Sequence, residues 1–220
     1  MRVHPSLFRI PVFSLLLVFA SVPAQISAQS KKGVELYQAG QFKEAEAAFR
    51  EALKINPKDT PNNYYLGLSV LLQDKHSEAL DILLKVKQSQ DRADKRTRPT
   101  VPDEYQINLA LARTRLELQQ YEDAWKNLES ARIENNSSSD VYVYRGVYYF
   151  QQDKFPEALK ELEKAISLDG KNPYAHYYEG LVYYETGQAD KAVNALKMFL
   201  QLYPNAPEAA KAKEIVNKLC

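Results

Sequence analysis

The residue types that perform catalysis or bind metals are few and widely separated in this sequence. The only histidines are His4, His76 and His176, and Cys220 is the sole cysteine. No H-E-x-x-H, G-x-x-x-x-G-K-[ST] or C-x-x-C spacing occurs, so metalloprotease, phosphate-loop and paired-thiol chemistry all lack their residues. We therefore predict a chain that is not an enzyme and has neither a metal site nor a cofactor.

Acidic residues are common, but lysines are interleaved with them. In the segment 154–164, Glu157 and Glu161 lie beside Lys160 and Lys164, which is typical of a solvated helix face. The net charge is +1, so no global field directs the chain toward nucleic acid. With 45% hydrophobic and 26% charged residues, the composition indicates a folded globular chain.

The amino-terminal segment has the pattern of an export signal. Arg2 and Arg9 precede an apolar run over residues 10–20, and small-residue cleavage sites end at Ala24 and Ala28. The run is shorter than the roughly 20 apolar residues that span a membrane. We predict a signal peptide over residues 1–28 and an exported mature chain without a transmembrane segment, periplasmic in a bacterium and otherwise secreted.

An internal period organises the rest of the chain. One column of alanines has spacings of 34, 45, 34 and 34 residues: Ala45, Ala79, Ala124, Ala158 and Ala192. Two further columns repeat these intervals: Gly33, Gly67, Ala112, Gly146 and Gly180, and then Phe49, Leu83, Leu128, Leu162 and Leu196. The sequence thus contains five units of one length, with an 11-residue insertion after the second.

Each unit is predicted to be a pair of short antiparallel helices. Apolar residues recur at steps of three and four, as at Phe155, Ala158, Leu159 and Leu162, and a polar break divides each unit in two. A small residue in each helix lets the two backbones of a pair approach closely.

These residues resemble the signature of the tetratricopeptide repeat family. The first unit matches it at Gly33, Leu36, Ala45, Phe49, Ala52 and Pro57, and the fifth at Gly180, Tyr183, Ala192, Leu196 and Pro204. The resemblance covers residues 30–206 and implies an all-α, right-handed superhelical solenoid. Departures occur at Ala112, Arg115 and Gly170, which replace a glycine, an apolar residue and a proline.

The period sets the predicted boundaries of the segments. The repeats cover residues 30–59, 60–93, 105–138, 139–172 and 173–206, and residues 207–220 form a capping helix that seals the end of the solenoid. The insertion at 94–104 lies in a basic stretch with Lys95, Arg96 and Arg98, which is either a solvated linker or a docking site for an acidic partner.

The resemblance also implies a partner-binding face along the concave side of the first helices. In the fifth unit this stripe is rich in tyrosine, and we expect one of Tyr183 and Tyr184 to be core and the other exposed. Apolar and aromatic residues dominate, unlike the Lys and Asn clamp that binds a peptide carboxylate in some members. The predicted contacts are Tyr64, Leu68, Leu71, Leu109, Arg113, Leu116, Val143, Val147, Phe150, Tyr174, Tyr177, Leu181 and Tyr184.

The function predicted from these features is a non-catalytic, exported scaffold that binds a peptide or helix of a partner protein. Residues 199–212 resemble repeat ends of periplasmic proteins in cell-envelope assembly, which favours that setting. The alternative is a carrier of a small hydrophobic ligand, held in a closed cavity lined by Val147, Phe150, Tyr177 and Tyr184.

Overall fold

The computed structural model of the chain describes residues 28–93 and 102–219. The predicted signal peptide, apart from Ala28, therefore lies outside the described residues, as do most of the predicted insertion and Cys220. The described residues form two compact units, residues 28–134 and residues 135–219, called here the N-terminal and C-terminal units.

Both units consist of α-helices, and no strand occurs in residues 28–93 or 102–219, which confirms the predicted all-α fold. The N-terminal unit contains α1 Ala28–Gln38, α2 Phe42–Ile55, α3 Thr60–Leu71, α4 His76–Arg92, α5 Glu104–Glu117 and α6 Tyr121–Glu134. The C-terminal unit contains α7 Ser139–Phe150, α8 Phe155–Leu168, α9 Pro173–Glu185, α10 Ala189–Leu202 and α11 Ala209–Leu219. Within each unit, a helix packs mainly on its neighbours in chain order.

The turn inside each helical pair has one residue with left-handed backbone. Gly40 and Gly187 have φ of 74° and 75° in the first and last pairs. The equivalent positions in the other three pairs also have positive φ, although their residues carry a Cβ: Asp74, Gln119 and Asp153. A left-handed residue after a first helix lets the chain reverse within a few residues.

The two helices of each pair meet at the small residues of the repeat columns. A Cβ placed on Gly180 in α9 would lie 2.7 Å from Cγ of Leu196 in α10, and one on Gly146 would lie 2.6 Å from Cγ of Leu162. Such distances are shorter than any normal carbon–carbon contact. Glycine at these positions is thus required by the close packing of the paired helices, as the sequence predicts.

We expect Gly180→Ala to lower the free energy of unfolding by about 1–3 kcal/mol, because the new methyl group overpacks the contact with Leu196. In a Leu196→Ala background the same change should raise the free energy of unfolding by up to about 0.5 kcal/mol, because only the backbone nitrogen of residue 196, at 3.3 Å, remains close and alanine favours helix. Urea unfolding of the four proteins in this cycle measures both values. Gly170→Ala is the control, since its Cβ would meet only a carbonyl oxygen at 3.7 Å. An equal effect of Gly180→Ala in both backgrounds would contradict the packing argument.

The third helical pair replaces part of the apolar contact with hydrogen bonds. The Arg115 guanidinium donates to the side-chain oxygen of Asn127, and the amide of Asn127 donates to the side-chain oxygen of Asn108 at 2.9 Å. This network joins α5 to α6 and explains why Arg115 is accommodated where the repeat pattern expects an apolar residue. A capping box between Asp103 and Gln106 starts α5 just after the insertion.

Candidate partner-binding surface

The predicted contacts of the N-terminal unit are buried in the chain itself. Tyr64 and Leu68 pack with Ile107 and Leu111 of α5, and the Tyr64 hydroxyl donates to the carbonyl oxygen of Gln106 at 3.5 Å. Three further predicted contacts are also buried, namely Leu71, Leu109 and Leu116. These five side chains thus hold the helices together, and their role toward a partner stays a prediction.

Arg113 is the one charged member of the predicted set, and only 4% of its surface is exposed. It lies near Glu117, one turn further along α5, and near His76 at the start of α4. Burial raises the pKa of Glu117 to about 8, the charge of Asp74 adds to this, and Arg113 opposes it. Burial lowers the pKa of His76, and Arg113 acts in the same direction. The face of α5 is therefore less apolar than its neighbours.

The predicted contacts of the C-terminal unit are also largely buried. Val143 and Val147 lie inside the unit, and the Phe150 ring meets Tyr178 edge-on, with centroids 6.2 Å apart. Leu181 of α9 is buried as well. These four side chains thus pack inside the unit, and their role toward a partner stays a prediction.

Two tyrosines of α9 surround a phenylalanine of α10. The centroid of the Phe199 ring lies 4.9 Å from that of Tyr177 and 6.0 Å from that of Tyr174. Burial, reinforced by the charge of Glu208, raises the pKa of both tyrosines far above the ordinary value. The Tyr174 hydroxyl donates to Oε2 of Glu208 at 3.2 Å. The tyrosine-rich stripe of α9 is thus core over most of its length, and changes at Tyr177 will act first on stability.

Tyr184 is the exception in the predicted set, because it is half-buried at the end of α9. Nζ of Lys218 in α11 donates to its hydroxyl at 2.7 Å and lies 5.3 Å from the centre of its ring. Tyr183 is half-buried too, with Nζ of Lys191 at 5.1 Å from its ring centre. The expected division into one core and one exposed tyrosine was therefore wrong, since each ring is covered on one side by a lysine.

Three side chains that contribute to this surface were not predicted from the sequence. Phe199 occupies a repeat column that holds alanine or valine in the other pairs, and Glu208 and Lys218 belong to the carboxyl-terminal segment around α11. A signal for the last two existed, because each lies 34 residues after a tyrosine of α9, namely Tyr174 and Tyr184.

The described residues contain neither a helix with the length and apolarity of a membrane span nor a group of three ligands suited to a metal ion. Within each unit the helices form pairs, and the aromatic and apolar residues of the first helices are mostly buried. The sites that these helices offer are packing and hydrogen-bonding surfaces.

Comparison with protein families finds matches to parts of the chain. Two models described as tetratricopeptide repeat match residues 26–59 and 174–206, and one described as TPR repeat matches residues 146–187. Residues 26–59 and 146–206 thus match models of the tetratricopeptide repeat. Curated protein sequences give no match.

Solved structures with the same fold include two described as TPR proteins, TTC0263 and YrrB, and the protein MamA. TTC0263, a thermophilic TPR protein of Thermus thermophilus, is 20% identical with a TM-score of 0.71, covering 86% of this chain and 97% of that one. YrrB, described as a TPR protein with an unusual peptide-binding site, is 18% identical with a TM-score of 0.52, covering 84% and 90%. MamA is 23% identical with a TM-score of 0.54, covering 82% and 96%. These similarities establish the fold.

Proposed function

We propose that this chain is a non-catalytic scaffold that binds a segment of a partner protein on the face of its first helices. Proteins with tetratricopeptide repeats commonly act as interaction scaffolds, and YrrB is described as having a peptide-binding site. The observation that carries the proposal is that an aromatic residue in each unit is half-buried at the end of a first helix. Tyr37 in α1 and Tyr184 in α9 hold the same repeat position, and both are half-buried.

Half-buried tyrosines suit a binding role for physical reasons. A tyrosine ring offers a large contact area with little conformational entropy to lose, and its hydroxyl orients a polar group of the partner. Covering the remaining exposed area of several such rings provides binding free energy without any rearrangement of the core. The fully buried tyrosines of the predicted set, such as Tyr64 and Tyr177, then hold the first helices in place.

The alternative of a small-ligand carrier has less support. Its cavity would need open space between the aromatic side chains of the C-terminal unit. Phe150 instead packs against Tyr178, and Tyr177 packs against Phe199 and Tyr178.

Site-specific photo-crosslinking tests the scaffold proposal. A photoreactive phenylalanine analogue would replace Gln38 or Glu185, which are exposed at the ends of α1 and α9. Control positions are Lys160 and Lys197, which are exposed on the second helices α8 and α10. We expect covalent adducts with a partner protein from the first pair of positions and none from the controls. Adducts from the controls alone would move the binding face to the second helices and overturn the proposal.

We further propose that the chain is exported, with a role in the cell envelope where the host is a bacterium. The support is the basic and apolar pattern of residues 1–28 and the resemblance of residues 199–212 to envelope proteins. Sequencing the amino terminus of the protein from a bacterial periplasmic fraction tests export. We expect a chain beginning at Gln25 or Gln29, and no export of a Leu16→Arg variant. Recovery of the uncleaved chain from the cytoplasm alone would contradict export.

A further inference from the structure

The last helix contacts α9 at a constant offset along the chain. Tyr174 near the start of α9 bonds to Glu208, and Tyr184 near its end bonds to Lys218. Both pairs are separated by 34 residues, which is the length of one repeat. Contacts at both ends show that α9 and α11 run side by side in the same direction. Helix α11 therefore occupies the place of the first helix of a sixth pair.

This register assigns a repeat position to every residue of α11. Lys211 and Lys218 correspond to Tyr177 and Tyr184 of α9, and both lysines are exposed. Ala212 and Ile215 correspond to Tyr178 and Leu181, and all four of these are buried. Burial at these two positions supports the register, whereas Lys211 is exposed where Tyr177 is buried. The first-helix face, aromatic on α9, thus continues onto α11, where it becomes basic.

The contact between Lys218 and Tyr184 leaves hydrogen-bond donors for a third group. The Tyr184 hydroxyl accepts a hydrogen from Nζ of Lys218, so its own hydrogen is directed elsewhere. The ammonium group has three hydrogens, of which this bond uses one. The same bond raises the pKa of Lys218, which keeps the ammonium charged. A carboxylate placed beside both groups would accept one hydrogen bond from each.

Nearby acidic residues do not neutralise this pair of donors. The carboxylate of Glu208 is buried and bonded to Tyr174. Glu214 lies 3.4 Å from Nζ of Lys211, and it acts on Lys218 only through its more distant charge. Lys211 lies two helical turns from Lys218 on the same face, but its charge is partly offset by Glu214, so Lys218 supplies most of the positive charge there.

We propose that Lys218 and Tyr184, assisted by Lys211, form a docking point for an acidic side chain of the bound partner segment. This inference rests on the proposed function and specifies the chemistry of the partner. It places an acidic residue of the partner at the carboxyl-terminal end of the first-helix face, beyond the aromatic part of that face.

Binding of two matched peptide pools to the purified protein tests this proposal. Both pools are blocked decapeptides of random order, one built from Ala, Leu and Glu, and the other from Ala, Leu and Gln. We expect the Glu pool to bind about threefold more tightly at low salt, as for an exposed charge pair, and the preference to vanish at about 0.5 M NaCl. Equal binding of the two pools by the unaltered protein would overturn the proposal.

Three variants test which residues cause the preference for the Glu pool. Lys218→Gln should abolish most of it, and Tyr184→Phe should reduce it while keeping the ring. Lys213→Gln removes an exposed charge from α11 at the register position of Glu179, so the preference should survive. An equal loss in Lys213→Gln would show an effect of net charge and contradict a local site. Binding to phosphatidylglycerol vesicles that needs Lys218, without any peptide preference, would reassign the surface to lipid.

The outcomes separate this inference from the scaffold proposal. Adducts at Gln38 and Glu185 together with equal binding of both pools would retain the scaffold and remove the acidic docking point. A preference that needs Lys218, together with adducts only at second-helix positions, would retain the docking point and remove the scaffold face.

Discussion

Replacing Phe199 with alanine should lower the free energy of unfolding by about 3–5 kcal/mol. The side chain is fully buried in α10, and its ring lies between those of Tyr174 and Tyr177 in α9. Removing it leaves a cavity between these two rings, which the rigid helices on either side cannot close. Urea unfolding followed by circular dichroism measures the change.

The neighbouring residue provides a matched control. Met198 lies on the same helix, and 41% of its surface is exposed. Met198→Ala removes a large but exposed side chain and should change the stability by no more than about 0.5 kcal/mol. Similar losses in the two variants would show that Phe199 does not anchor α9 to α10.

The second large effect concerns the dependence of stability on pH. Between about pH 5 and pH 8 we expect the free energy of unfolding to fall by a few kcal/mol because of Glu117. The pKa of this carboxyl group is raised from 4.5 to about 8 by burial, which the charge of Arg113 opposes and that of Asp74 reinforces. The folded chain thus holds a proton that the unfolded chain releases near pH 4.5. The favourable contribution is fully present below that pH and is lost as the pH approaches 8.

Glu117→Gln isolates this contribution. The amide has the size of the protonated acid and does not titrate, so the variant and the original protein should have similar stability near pH 4.5. Above about pH 8 the variant should be more stable by on the order of 2–4 kcal/mol. Chemical unfolding across the pH range measures this difference, and parallel curves for the two proteins would contradict the assignment.

Other titrating groups remain in both proteins and cancel in the comparison. Burial raises the pKa of Asp140 from 3.8 to about 6. The contribution of this residue to stability therefore also declines as the pH rises from 3.8 to about 6. The carboxylate of Glu179, 3.9 Å from Nδ1 of His176, raises the pKa of this histidine, whose contribution to stability is present below pH 6.5 and declines above it. Glu134→Gln, at an exposed position, is the control for the loss of a negative charge.

The helical pairs could be predicted because a single small residue of the repeat determines the contact between the two helices of a pair. Gly146 and Gly180 recur with the period of the repeat, and the second helix can approach only where no side chain intervenes. The turns recur with the same period, so their positions could be predicted too. The environment of Arg115 could not be predicted, because the third helical pair accommodates this side chain through hydrogen bonds with Asn127 and Asn108. These two polar residues lie outside the repeat signature.

The extent of burial along α9 was not predictable from helical spacing. Spacing places Tyr177 and Leu181 on one stripe, but it does not say how many helices cover that stripe. Phe199 fills the space above Tyr177 because it is larger than the residue at that column in any other pair. Helix α11 then lies beside α9, since Ile215 and Ala212 are buried against the unit. Both effects depend on residues distant from the stripe itself.

The packing of each helix on its neighbours in chain order has a kinetic consequence. Nearly all native contacts within a unit join segments close together along the chain, so little loop-closure entropy is lost before stabilising contacts form. Helical proteins with such local contacts fold in microseconds to milliseconds. Folding can begin at any helical pair and spread to the adjacent one, so a chain emerging from a ribosome or an export channel can start to fold before its last helix is available.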